Sequence, residues 1–300
     1  METGILLESG TNELEILEFR IGKNSYGINV AKIREILPYK EPTPIPNSHP
    51  CIEGIFMPRD EIITIVDLAK NLGMPASENP VKDMYIVTNF NKLNVGFHVH
   101  SIVGITRVSW SEISKPDATL NGNGASVATG IIKLDGRLVV ILDFEKIVSD
   151  ISPETGLKVS DIDSLGPRER NTTPILIAED SALLGKLICD SISKAGYTNV
   201  TMTMNGQEAW DKLNEFKNAG TLDQNVKLVI TDIEMPQMDG HRLTKLIKDS
   251  SAFSHIPVVI FSSLVNEEMR KKGAALGADA QLSKPEIGNL VAEIDKILWK

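Results

Sequence analysis

Four groups of polar residues in the second half of the sequence stand at the ends of short apolar runs. Glu179-Asp180 follow Ile175–Ala178, Asp232 follows Leu228–Thr231, Ser262 follows Val258–Phe261, and Lys284-Pro285 follow Ala280–Leu282. A carboxylate behind a strand usually caps the next helix, so one such residue carries little information. Four in succession carry more, because their types complement one another. Three clustered carboxylates repel, and a divalent cation among them relieves the repulsion; oxygen donors with room for waters suit Mg2+. A lysine supplies a point positive charge and a serine a hydroxyl donor, both useful where negative charge gathers on transferring phosphoryl oxygens. The chemistry indicated is phosphoryl transfer to a carboxylate, with Pro285 fixing the backbone beside the lysine.

That chemistry needs a scaffold bringing four strand ends to one edge. Short β-rich runs (Ile175–Ala178, Val200–Thr203, Leu228–Thr231, Val258–Phe261, Ala280–Leu282) alternate with amphipathic stretches near 182–195, 206–216, 240–248, 266–276 and 286–298. Near-continuous apolar strands indicate a parallel sheet covered on both faces. Five such units predict an α/β doubly wound, flavodoxin-like fold, with its site at the C-terminal strand ends.

Residues 174–300 resemble a response-regulator receiver domain. The motifs are PILIAEDS (174–181), VITDIEMPQMDG (229–240), IPVVIFSS (256–263) and GADAQLSKP (277–285). The resemblance implies that Asp232, the aspartate before -x-x-Met-Pro, accepts phosphate from a histidine kinase. It implies Mg2+ ligation by Asp180, Asp232 and the backbone carbonyl of Glu234, with Glu179 acting through water. Ser262 would be the conformational switch and Lys284 the phosphate contact. One position departs from the family: an aromatic residue or histidine is usual three before the lysine, and here Gln281 stands there.

The first half reads differently. Short strands dominate, with helical stretches expected at Val30–Leu37 and Leu68–Leu72. Aligning Gly54 with Gly130 without gaps pairs Ile55 with Ile131, Ile63 with Val139, Ile65 with Ile141, Val66 with Leu142 and Asp67 with Asp143. Each copy is a hairpin, turning at Arg59-Asp60 or Asp135-Gly136, whose second strand ends in Asp before a short helix. Asp-Gly is a strong tight-turn signal. A duplicated hairpin-plus-helix predicts a mostly β, twin-barrel architecture. His98 and His100 alternate on a predicted strand, but a metal site needs further ligands, and a structural role is expected. Asn121-Gly122-Asn123-Gly124 lacks the Lys-Ser/Thr of a phosphate loop and reads as a turn.

This half resembles the CheW family of coupling domains, through EILEFRIGKNSYGINVAKIREIL (15–37), GIFMPRDEIITIVDL (54–68) and TGIIKLDGRLVVILDFEKI (129–147). A CheW-like domain followed by a receiver is the arrangement of CheV-type proteins. The resemblance implies an adaptor, not an enzyme, between chemoreceptors (methyl-accepting chemotaxis proteins) and the histidine kinase CheA. Ile33, Glu35 and Arg59 match receptor-facing positions of the family. As ordinary residues they would be a core isoleucine and a surface ion pair. The family's usual Asn-Leu-Arg-Gly turn is Met57-Pro58-Arg59-Asp60 here, keeping only the arginine. The other reading of the same residues is a phosphate sink that drains phosphoryl groups from CheA.

The expected domains are 1–150 for coupling, a polar, turn-prone linker over 151–173, and 174–300 for the receiver. Residues 1–165 hold 15 Lys+Arg against 22 Asp+Glu, and residues 166–300 hold 16 against 18. Neither half has the basic excess that nucleic-acid binding needs. No apolar stretch approaches the ~20 residues of a membrane span, and the N-terminus lacks signal-peptide character. The two cysteines, Cys51 and Cys189, are far apart and read as free thiols. A cytoplasmic location without membrane insertion is expected.

Overall fold

The computed structural model describes residues 11–90, 93–114, 127–152, 168–265, 267–284 and 286–299. Most of the expected linker (153–167), the Asn121–Gly124 turn and Pro285 lie outside the described residues. The chain divides into two compact units, one over Leu14–Val108 and Glu112–Thr155, the other including Gly156–Lys300. Among the described residues no helix is long and apolar enough to cross a membrane.

Among the described residues the first unit holds ten strands: β1 (Glu13–Ile21), β2 (Asn24–Asn29), β3 (Ile33–Pro38), β4 (Ile52–Phe56), β5 (Ile63–Asp67), β6 (Met84–Phe90), β7 (Leu93–Val99), β8 (Ser101–Ser109), β9 (Ala128–Leu134) and β10 (Arg137–Leu142). They form two five-stranded sheets, ordered β8-β1-β2-β10-β9 and β3-β6-β7-β5-β4. The second sheet is continuous in sequence and is inserted between β2 and β8 of the first.

The repeat seen in the sequence is present in the fold. Hairpins β4–β5 and β9–β10 each join their sheet through a parallel pairing of the second strand, β5 with β7 and β10 with β2. Asp67 then caps α1 (Leu68–Asn71) by accepting from the Lys70 N–H, and Asp143 caps α2 (Phe144–Ile151) by accepting from the Lys146 N–H, both at 2.8 Å.

Both sheets close on themselves at equivalent repeat positions. Thr43, beyond β3, exchanges two 2.8 Å backbone hydrogen bonds with Ile55 of β4, and Ser114, beyond β8, does the same with Ile131 of β9 at 3.0 and 2.8 Å. The residue before each closure is a glycine that leaves room for the closing segment, its backbone at Gly54 and the Ile113 side chain at Gly130. A Cβ on Gly54 would lie 2.2 Å from the Thr43 carbonyl oxygen, and one on Gly130 would lie 2.3 Å from Ile113 Cγ2. Side chains of both sheets share a core including Phe19, Val66, Phe97, Phe144 and Ile147, with Phe97 and Phe144 edge to face at 4.5 Å.

Two local expectations are corrected. Val30–Leu37 is no helix: a single 3-10 turn (Val30–Lys32) leads into β3. Val30, Ile33 and Leu37 mimic a helical stripe, but exposure along β3 alternates with period two and pairing with β6 prevails over the local pattern. The tight turn falls only on Asp135 and Gly136, with φ of 48° and 82°. The Arg59-Asp60 copy is a longer loop, since pairing stops at Phe56 and Ile63.

In the second unit, β11 (Ile175–Ala178), β12 (Val200–Thr203), β13 (Leu228–Thr231), β14 (Val258–Ser262) and β15 (Ala280–Ser283) form one parallel sheet ordered β12-β11-β13-β14-β15. The helices are α3 (Ala182–Lys194), α4 (Gly206–Asn218), α5 (Leu222–Asn225), α6 (Gly240–Asp249), α7 (Glu267–Ala275) and α8 (Ile287–Leu298). Of the described helices in this unit, only the single turn α5 has no counterpart in the sequence pattern. Alternate strand residues bury against opposite layers. Ile175, Ile177 and Ile230 pack with Ile188 of α3 and Leu290 of α8, while Leu176, Ala178 and Val229 pack with Leu213 of α4 and Leu243 of α6. Burial on both faces is what the continuous apolar strands require.

Candidate acceptor site of the receiver unit

The chain leaves β11 for β12 on one side and then returns to lay β13 on the other, so the strand order reverses between β11 and β13. Crevices at such reversals are where doubly wound sheets bind ligands. Glu179 and Asp180 leave β11 there, Asp232 leaves β13 beside them, Ser262 closes β14, and Lys284 follows β15.

The structure brings these side chains together. Lys284 Nζ lies 2.7 Å from Glu179 Oε2 and 3.1 Å from Asp232 Oδ2. Glu179, Asp180 and Asp232 present carboxylate oxygens within 4.8 Å of one another. Three carboxylates against one nearby ammonium leave a negative excess, and the donors are hard oxygens, so this set fits a divalent cation. The Glu234 carboxylate is not part of that cluster; Glu234 sits half-buried two residues beyond Asp232.

Burial sets the electrostatics. Glu179 is 1% exposed and Lys284 6%. Desolvation pushes the Glu179 carboxyl well above the ordinary carboxylate range; Lys284 opposes this, and Asp232 and Asp180 add to it. Asp232 Oδ1 accepts a 2.7 Å hydrogen bond from the Ile233 N–H, which orients the carboxylate. Ser262 is fully buried, and its Oγ accepts from the Leu264 N–H at 3.2 Å.

Gly240 is a supporting residue for which strand-end reasoning gives no signal beyond its place at the end of the motif. A Cβ there would lie 1.9 Å from the Asp232 carbonyl oxygen, so only glycine lets α6 start against the acceptor loop. Asp239 caps that helix, accepting from the Arg242 N–H at 2.6 Å. Gln281, at the position of the family's aromatic, is tied to α7: its Nε2 donates to the Arg270 carbonyl at 2.8 Å, and Arg270 Nη1 donates to the Gln281 carbonyl at 3.1 Å.

In the first unit, Glu35 on β3 and Arg59 in the β4–β5 loop do meet, at 3.5 Å, with the arginine side chain 77% exposed. Ile33 is half-buried and packs against the shared core.

The CheW-like domain family matches residues 15–152, and the response regulator receiver domain family matches residues 175–295. Chemotaxis protein CheV3 of Helicobacter pylori is 33% identical over 303 residues, covering 96% of each chain. The chain belongs to the CheV family. Another CheV relative, CheV2 of the same organism, is 33% identical over 96% of this chain and 95% of its own. Chemotaxis protein CheW of Thermotoga maritima is 30% identical over 50% of this chain and 98% of its own length. As a CheV-family member the chain is a chemotaxis adaptor, not an enzyme, joining a coupling domain to a phosphorylatable receiver.

Proposed function

We propose that the chain couples chemoreceptors to the histidine kinase CheA in the cytoplasm, and that phosphorylation of Asp232 tunes this coupling. The observation that carries the acceptor assignment is the position of Asp232. It sits at the strand reversal, with one oxygen oriented by a backbone N–H and the other beside Lys284. In the transfer, an Asp232 carboxylate oxygen attacks the phosphorus of a phosphohistidine; the P–N bond breaks, an acyl phosphate forms, and the imidazole keeps the bonding pair. Lys284 then moves its charge from the carboxylates to a phosphoryl oxygen, and Ser262 turns its hydroxyl from the Leu264 N–H to donate to another. Asp180, Asp232 and the Glu234 carbonyl, with Glu179 acting through water, would hold Mg2+, which when bound offsets repulsion between carboxylate and phosphoryl group.

We further propose that residues 1–150 bind the partners, with 151–173 as linker and 174–300 as receiver. Ile33, Glu35 and Arg59 mark the receptor-facing surface. Exposed apolar side chains near each hairpin support a binding role for this unit: Ile62 and Leu138, equivalent in the repeat, are 61% and 64% exposed. The test is transfer from radiolabelled phospho-CheA to the full chain and to Asp232→Asn, followed by capture of receptor and kinase by each form. The expected result is no label on Asp232→Asn and a change in capture when the wild-type chain is labelled. Label retained on the variant overturns the acceptor assignment.

A further inference from the structure

His98 lies on β7, in the middle of the second sheet, and is buried. Its Nδ1 is 2.8 Å from Glu53 Oε1 and its Nε2 is 2.9 Å from Asp83 Oδ2. An ionised carboxylate only accepts hydrogen bonds, and a neutral imidazole has one N–H to give. Two ionised carboxylates on the two ring nitrogens are therefore both satisfied only by the doubly protonated ring.

The backbone is shaped to make this contact. Pairing of β4 with β5 slips between Ile52 and Gly54, so Glu53 is the extra residue of a bulge. A bulge re-aims a side chain out of the regular alternation, and here it carries Glu53 to the ring. Asp83 stands just before β6. Tyr39, beyond β3, lies 5.0 Å from the His98 ring centroid, and Tyr85 of β6 meets it edge-on at 5.6 Å.

The two carboxylates that touch the ring favour the cation. Glu53 comes from β4 and Asp83 from the entry to β6, where Tyr85 donates to the Lys40 carbonyl. On β5, Asp67 is in register with His98 but turns its carboxylate to the Lys70 N–H. Beyond β3, Glu41 stands near Tyr39, and the Lys40 ammonium lies 6.0 Å from the Phe56 ring centroid. Burial alone lowers the affinity of His98 for its second proton, but Glu53 and Asp83 together outweigh it, and the net displacement is upward.

We propose that His98 is a charged clip holding β4 and the entry to β6 onto β7, and that its deprotonation loosens β4 and loop 57–62 and so weakens partner binding there as pH rises. The link to partner binding rests on the reading of Arg59 as part of that surface. The direction follows from linkage. A histidine whose folded pKa is raised contributes stability that is complete below its unfolded value of about 6.5 and is lost as pH rises through the folded value.

The experiment uses the full chain. Ring nitrogen NMR shifts of His98 are followed from pH 6 to 9, with amide exchange across 53–63 and capture of receptor and CheA at the same pH values. The expected ring is doubly protonated at pH 7, with protection across 53–63 lost as it titrates, beyond the intrinsic rise of exchange with pH. Capture should weaken over the same range, while His98→Gln binds weakly throughout without that transition. A singly protonated ring at pH 7, or protection unchanged through its titration, overturns the clip. Arg59→Glu separates the two readings. If it captures partners as well as the wild type, the Arg59 surface is wrong and the ring and exchange results still judge the clip on their own.

Discussion

Removing the Lys284 ammonium leaves Glu179 and Asp232 without the cation now within 3.1 Å of both. Taking away one member of a buried ionic group typically costs about 3–5 kcal/mol. Glu179 can take up a proton, so Lys284→Met should fall at the lower end, about 3 kcal/mol in EDTA by urea unfolding, and Mg2+ should recover much of it. The wild-type chain should also show a pH slope in EDTA. Glu179 is held above the ordinary carboxylate range, so the folded state keeps a proton that the unfolded state releases. Stability then falls as pH rises past about 4.5 and continues to fall until the folded group ionises, and saturating Mg2+ should flatten the slope. Asp232, Asp180 and Lys284 are legible in the sequence because a parallel sheet forces strand ends together. The depth of Glu179 is not legible, because it depends on how the surrounding loops pack over it.

Among elements, the two barrel closures give a matched comparison. At Gly54 an added Cβ meets a hydrogen-bonded backbone carbonyl and sits at a φ of 155°, strained for any L side chain, whereas at Gly130 φ is ordinary and the Cβ meets the Ile113 side chain. Gly54→Ala should therefore destabilise the first unit by about 1–3 kcal/mol, and by more than Gly130→Ala, with denaturant midpoints as the measure. The repeat is legible because hairpin, terminal Asp and helix recur at one spacing. The β3 strand is not, because Val30, Ile33 and Leu37 satisfy a helical period and only the partner strand β6 decides. Nor is the bulge at Glu53, since nothing in its neighbours announces a partner 45 residues further on.

For the whole molecule, the question is whether a change at Asp232 reaches the coupling domain. Ser262 now accepts from the Leu264 N–H. A phosphoryl mimic such as beryllofluoride should draw the hydroxyl away and speed amide exchange at Leu264. Exchange should also change within 14–152 of the full chain. A response confined to 174–300 would favour the phosphate-sink reading of the adaptor. Ser262→Ala should abolish the Leu264 response while leaving labelling of Asp232 intact, which separates signal output from phosphate acceptance.

The nesting of one sheet inside the other also sets an order of events on the ribosome. The outer sheet takes β1 and β2 from the start of the chain and β8, β9 and β10 from beyond the inner sheet. At synthesis rates of ~5–20 residues per second, the ~70 residues between β2 and β8 take roughly 4–14 s to emerge. That is long enough for a β-hairpin to form many times over. Every strand of the inner sheet is thus synthesised while the β1–β2 hairpin is still without its outer neighbours, and the core that the two sheets share closes only when β8, β9, β10 and α2 arrive.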